Sequence, residues 1–270
     1  MREDSSKKDR GIHIARKLTI SLSRWAVLAC ALACFVLPGY AANELFLKTY
    51  PLMPGGSFLL ENVNGSVRVE GWAREEVEVR AVKSAFRDQR DLERVRILVV
   101  NLPGRVAVRT LYPDGQGVEV AVQYVIHVPY RVLLGDVETV NGSVVVSGVE
   151  GTGDLRSVNG NVEVLDSSGR FSARTTNGDL RLELRRLLDG GPMNVQTVNG
   201  SVFLGLPSNA RADLHVVSMN GDFVSELPVV STQGGLASGM FRARLGRGGG
   251  EISVRTVNGG IRLIRERPTV

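Results

Sequence analysis

Seven Asn-Gly pairs at near-regular spacing constrain this 270-residue chain more than any other feature. Asn141-Gly142, Asn159-Gly160, Asn177-Gly178, Asn199-Gly200 and Asn220-Gly221 follow one another at steps of 18, 18, 22 and 21 residues. Asn258-Gly259 lies 38 residues further on, two units of 19 with the middle one lacking its pair, and Asn64-Gly65 is an outlying copy. A fixed period near twenty residues marks an array of stacked supersecondary units.

The period extends beyond the pair itself. Two residues before each Asn stand Asn62, Thr139, Ser157, Thr175, Thr197, Ser218 and Thr256; three residues after it stand Val67, Val144, Val162, Leu180, Val202, Phe223 and Ile261. Four residues before it the side chain is again apolar, as at Leu60, Val137, Leu155 and Val254. Strand alternation gathers these columns on one face. Two architectures fit. In an antiparallel β-meander or sandwich, Asn-Gly is a type I′ hairpin turn. In a β-solenoid it is a corner, and each motif stacks on its like one coil above. The other bend of the repeat discriminates between them. Val149, Leu206 and Leu227 each sit there among turn formers, and a solvated hairpin turn has no use for an apolar residue that a corner closing a core requires. We therefore expect an all-β protein, a single-chain β-solenoid of roughly 18–22-residue coils, with the meander or sandwich as the alternative.

Charge excludes one function class. The chain carries +5 overall, but seven of its 33 basic and three of its 28 acidic residues lie within residues 1–41, leaving 26 against 25 in the body. A nearly neutral body lacks the clustered basic face that nucleic-acid binding needs. The same leader has a basic flank, an uncharged stretch from Trp25 to Ala42, and small residues at Gly39 and Ala41. That is the grammar of a secretory signal cleaved after Ala41, with a retained anchor over 25–42 as the competitor. Either places the body outside the cytoplasm, in the periplasm or at the cell surface of a bacterium, and touches the membrane only if the leader is retained. Cys30 and Cys34 both fall in the leader, so the body has no disulfide and no thiolate chemistry.

Downstream, residues 43–130 read as non-repetitive strands forming a cap or flank, and 131–264 as the regular array. The chain here resembles a known family: the bacterial putative adhesins of unknown function, extracytoplasmic β-solenoids related to GIN-type head domains. The likeness covers about residues 48–265 and rests on Gly56-Ser57-Phe58-Leu59-Leu60-Glu61-Asn62-Val63-Asn64-Gly65-Ser66-Val67, on Glu70-Gly71-Trp72, on the serial Val-Asn-Gly units and on Leu245-Gly246-Arg247-Gly248-Gly249-Gly250-Glu251-Ile252. The resemblance implies a fold and an envelope location and supplies no catalytic residues.

The candidate sites follow from the repeat. The pairs Asn64 and Gly65, Asn141 and Gly142, Asn159 and Gly160, Asn177 and Gly178, Asn199 and Gly200, Asn220 and Gly221, and Asn258 and Gly259 are expected to be structural corners, with the asparagines stacked as a hydrogen-bonded ladder rather than facing a ligand. The residue before each Asn is Val63, Val140, Val158, Thr176, Val198, Met219 or Val257. Strict alternation turns this column outward, where it would form an interaction stripe; a bend that tucks it inside, or cap strands that cover it, is the simpler expectation. His127 and His215 belong to no metal-binding spacing, and we expect neither metal nor cofactor. Asp179 and Asp222 could form a carboxylate pair for glycoside cleavage, although aspartate is an ordinary neighbour of a solvated turn. The body is aromatic-poor, with Trp72 its one tryptophan. These features favour a non-enzymatic, adhesin-like or scaffolding envelope protein whose partner is an envelope protein or polysaccharide. A carbohydrate-binding or carbohydrate-active solenoid is the alternative.

Overall fold

The structure is a computed structural model that describes residues 42–113, 117–235 and 239–266; the expected signal peptide or anchor lies outside the described residues. Among them the elements in order are β1 (Ala42–Pro51), β2 (Ser57–Glu61), β3 (Val67–Trp72), β4 (Glu76–Ala85), the single helical turn α1 (Asp91–Arg94), β5 (Arg96–Leu102), β6 (Arg105–Leu111), β7 (Val120–Pro129), β8 (Arg131–Asn141), β9 (Val144–Ser147) and β10 (Glu150–Asn159). There follow β11 (Val162–Arg174), β12 (Leu180–Leu187), β13 (Met193–Gln196), β14 (Val202–Leu206), β15 (Ala212–Asn220), β16 (Phe223–Ser225), β17 (Val229–Gly235), β18 (Met240–Leu245), β19 (Glu251–Asn258) and β20 (Ile261–Arg265).

The strands stack in parallel, like on like, as a solenoid. Strands that lead into an Asn-Gly corner, together with β6, form one wall, in the order β6, β2, β8, β10, the second half of β11, β13, β19, β15. Strands that leave the corner, together with β7, form the other, in the order β7, β3, β9, the first half of β11, β12, β14, β20, β16. Val67, Val144, Val162, Leu180, Val202, Ile261 and Phe223 are thereby in register across seven coils. The apolar columns from both walls meet in one continuous core, in which Leu60, Val137, Leu155 and Val144 are almost wholly buried. Val149, Leu206 and Leu227 close the core at the opposite bend, each at most 3% exposed.

The stacking order departs from the sequence order at both ends. The corners lie in the spatial sequence Asn64, Asn141, Asn159, Asn177, Asn199, Asn258, Asn220. The expected silent coil between Asn220 and Asn258 does not exist. β17 and β18 instead pair antiparallel as a hairpin, and β18 pairs with the free edge of β15. The chain then returns, and β19 and β20 slot between β13–β14 and β15–β16. Five residues, 207–211, separate β14 from β15; they reach across the vacant rung, which costs only about one extra strand spacing of 4.8 Å.

The other end has the same device. Coil β2–β3 lies between β6–β7 and β8–β9, although β6 and β7 come later in the sequence than β3. The strands on either side of residue 130 share one core, since β2, β3, β6 and β7 stack in parallel with the array. The flanking elements are β4 and β1, antiparallel on the edge of β7, and β5, antiparallel on β6. Here the inward polar position is held by Asn62, whose Nδ2 donates to the Val122 carbonyl at 2.9 Å. Its Oδ1 accepts from Thr110, which shares a 2.7 Å hydrogen bond with the Tyr124 hydroxyl. Burial pushes the Tyr124 phenol well above its ordinary range. Lys83, only 6% exposed, donates to the Leu92 and Val95 carbonyls and pairs with Glu44 at 2.8 Å, tying α1 and β1 to β4.

Two predictions test this order. The body has no cysteine, so pairs can be introduced at outward positions in a chain whose Cys30 and Cys34 are replaced by serine. V198C/V257C, on adjacent rungs, should oxidise to a disulfide, and V198C/M219C, two rungs or about 10 Å apart, should not; coils stacked in sequence order would give the reverse on non-reducing electrophoresis. Second, a Cβ at Gly178 would sit 2.3 Å from the Gly160 carbonyl oxygen, whereas one at Gly104 meets nothing. Gly178→Ala should therefore cost about 2–4 kcal/mol and Gly104→Ala about 1 kcal/mol, read as the difference between their thermal melts.

Candidate functional site

The corners build the most extended repeated feature of the surface. From the inward hydroxyl column to the inward column three residues past Asn is five positions, an odd number, so alternation must break once between them. It breaks at the corner, where two consecutive side chains point outward: the residue before Asn, and Asn itself. The simpler expectation, that this column is tucked inside or covered, is thus overturned. Val63, Val140, Val158, Val198 and Met219 are 37%, 38%, 41%, 41% and 69% exposed, Thr176 is exposed, and Val257 is half-buried. In spatial order the stripe runs Val63, Val140, Val158, Thr176, Val198, Val257, Met219 over six steps of about 4.8 Å, roughly 29 Å in all.

Beside it runs the asparagine ladder. Each Nδ2 donates to the Oδ1 of the neighbouring rung, from Asn141 to Asn64, Asn159 to Asn141, Asn177 to Asn159, Asn199 to Asn177, Asn258 to Asn199 and Asn220 to Asn258, at 2.8–2.9 Å. The ladder is self-satisfied and points one way, so it is a structural device before it is a ligand site. Beneath it the inward hydroxyls of Thr139, Ser157, Thr175, Thr197 and Thr256 donate to the corner glycine carbonyl of the adjacent coil at 2.8–2.9 Å. The corner glycines themselves pack backbone to backbone. A Cβ at Gly142, Gly160, Gly200, Gly221 or Gly259 would meet a neighbouring glycine carbonyl oxygen at 2.0–2.2 Å. Positive φ explains glycine only in part, since Gly65, Gly178, Gly200 and Gly259 have it and Gly142, Gly160 and Gly221 do not.

The other sequence candidates do not assemble into a site. Asp179 uses Oδ1 to accept the Ser201 N–H at 2.7 Å and is part of the stack. Asp222 lies three rungs away, about 14 Å, beyond the separations at which two carboxylates flank a glycosidic bond. Trp72 stacks on His127 with centroids 5.0 Å apart, and the Arg74 guanidinium lies 4.7 Å over the same ring. His127 sits between Glu70 and Glu78 at 3.4 and 3.2 Å. The one tryptophan of the body is thus engaged within its own wall. Among the described residues no three His, Cys, Asp or Glu side chains gather as a metal site.

Sequence reasoning missed one concavity. Where β17–β18 folds against β15, a cleft of about 450 Å³ is lined by Asp213, His215, Thr232, Arg244 and Glu251 among others. Asp213 and Glu251 are cross-strand neighbours. Asp213 accepts from Arg244 Nε at 3.2 Å and from the Gly249 N–H at 3.4 Å. Both carboxylates are exposed, and among the described residues no Trp, Tyr or Phe lines the cleft. The cleft depends on the unexpected hairpin, so no signal in the sequence could have placed it.

Parallel coils, in-register corners and a stacked asparagine ladder define a β-solenoid repeat protein. Residues 123–263 match the Toastrack DUF4097 family, and the chain belongs to that family. Among solved structures, a "putative cell adhesion protein" from Clostridium sporogenes is similar with a TM-score of 0.49 at 10% identity, covering 82% of this chain and 100% of that one. A "putative adhesin" from Bacteroides fragilis gives 0.41 at 11% identity, covering 82% and 97%, and one from Parabacteroides merdae gives 0.29 at 7% identity, covering 82% and 96%. No curated protein matches.

The ladder can be tested directly. Asn177→Asp replaces a donor by a carboxylate facing the Asn159 Oδ1. At this exposed site it should cost about 1 kcal/mol and lower the melting temperature by about 2–4 °C, while Asn177→Ser should cost less.

Proposed function

We propose that this chain is a non-enzymatic, adhesin-like or scaffolding module of the bacterial cell envelope, exported by its leader, which docks on an envelope protein or polysaccharide through the corner stripe. The observation that carries this reading is the outward apolar column, five of whose members are 37–69% exposed. A largely apolar strip facing water, interrupted by Thr176 and aligned by the fold over about 29 Å, is what an extended docking face requires. The asparagines alongside supply a polar margin of fixed geometry.

A carbohydrate-active role is the second reading, favoured by the Asp213–Glu251 cleft. Against it, a glycosidase needs an acid held protonated by an apolar pocket, and here both carboxylates are exposed.

Export predicts a mature chain beginning near Ala42, read by intact-mass spectrometry. For docking, the triple substitution V140K/V158K/V198K should reduce binding to isolated cell-wall sacculi and envelope membranes by at least about tenfold, with the melting temperature within a few degrees of the parent. Unchanged binding would remove the stripe from the interface. Release of soluble sugar from the sacculi, abolished by Asp213→Asn, would establish the second reading instead.

A further inference from the structure

The corners hold the peptide sequence in which an asparagine most readily deamidates, since glycine leaves its own nitrogen unhindered. In that reaction the backbone nitrogen of the following residue, having lost its proton, attacks the asparagine Cγ. A C–N bond forms, the bond from Cγ to the side-chain nitrogen breaks, and ammonia departs with the proton. Water then opens the five-membered imide at either carbonyl, leaving aspartate or isoaspartate. Two conditions govern the rate in a folded chain: the glycine N–H must be free to give up its proton, and the corner must be free to rotate that nitrogen onto Cγ.

Six of the seven pairs fail both conditions, for one structural reason. Parallel stacking points every corner glycine N–H at the next coil, where it donates to an asparagine carbonyl: Gly65 to Asn141, Gly142 to Asn159, Gly160 to Asn177, Gly178 to Asn199, Gly200 to Asn258 and Gly259 to Asn220, at 2.8–3.0 Å. Asn141, Asn159, Asn177, Asn199 and Asn258 are also clamped from both sides by the ladder. Asn64, at the start, has its Oδ1 engaged by Asn141. The corner beside it is shut by β7, whose Val122 carbonyl would lie 2.2 Å from a Cβ at Gly65.

The polarity of the stack leaves the far end different. Asn220-Gly221 is the last rung, so no coil follows to accept the Gly221 N–H, and among the described residues it has no partner. Among the described residues, the bond nearest the corner between β15 and the hairpin that covers it runs from the Ser218 N–H to the Gly239 carbonyl at 2.9 Å. Asn220, Gly221 and Asp222 are all exposed. One ladder bond, to Asn258 Oδ1 at 2.9 Å, is what holds the Asn220 amide. We propose that Asn220 is a deamidation site in the folded protein, selected from seven chemically identical Asn-Gly pairs by its position at the open end of the parallel stack. The modification replaces the donating amide with a carboxylate opposite Asn258 Oδ1 and adds a negative charge to the end of the corner strip. This inference stands on hydrogen-bond geometry and does not rest on the docking role of that strip.

The test is peptide mapping by mass spectrometry of the folded full-length chain, incubated at mildly alkaline pH and physiological temperature. Conversion at Asn220 should run at least about tenfold faster than at any other Asn-Gly pair, because the others must first open a stacked coil. In denaturant the seven pairs should convert at similar rates, which shows that the selection comes from the fold and not from neighbouring residues. Asn220→Gln should remove the fast phase and leave the six slow sites unchanged. A folded chain in which Asn199 or Asn258 converts as fast as Asn220, or in which Asn220 stays intact while the unfolded chain reacts, overturns the proposal.

Discussion

The structure depends on one contact: the approach of a corner glycine to the glycine carbonyl of the next coil. At 2.0–2.3 Å from where a Cβ would stand, there is room for hydrogen and nothing larger. Given that approach, the coils stack at strand spacing, the inward hydroxyls reach the same carbonyls, and the asparagine amides fall into bonding distance of one another. Every rung then repeats the geometry of its neighbour, and a core of modest valines and leucines becomes continuous without disulfides. The stability is of the additive, neighbour-to-neighbour kind expected of a stack.

A parallel stack has two unlike open ends, and the chain treats each as a hazard. One is sealed by β4 and β1 and by β5, with Lys83 holding α1 and β1 in place; the other is sealed on one wall by β17–β18. Exposed strand edges invite pairing with other chains. At both ends a coil of the stack is out of sequence order, so that β2–β3 and β19–β20 are each held between two neighbours. Those two coils are thereby locked one rung in, where fraying would have to break contacts on both sides.

Much of this was legible from residues alone. The period, the corners, the inward columns and the apolar residues at the second bend follow from side-chain alternation and from glycine and asparagine chemistry, all local properties. The rung order was not legible, since 38 residues divide as readily into two coils as into a hairpin and one displaced coil. Which coil lies against which is set by loop reach and edge pairing, not by the motif. The outward direction of Val140 and its equivalents is what strict alternation gives, and only the expectation that the corner would tuck an apolar column inside obscured it. The Asp213–Glu251 cleft, built from β15, β18 and β19, could not be seen without the hairpin that frames it.

The outward column bears most closely on the proposed docking, because it leaves part of its apolar surface in water. A position 37–41% exposed buries more than half of its side chain and leaves the rest to water, and what a strand end requires there is a branched side chain that fits a pleated surface. Thr176 meets that requirement in the same column and is polar. Threonine at the other rungs would keep the branched shape and present a hydroxyl to water. Val63, Val140, Val158 and Val198 carry methyl groups where the fold would accept hydroxyls, and Met219 extends the strip with a flexible, polarisable side chain that is 69% exposed. The docking proposed above would use the face on which these side chains stand.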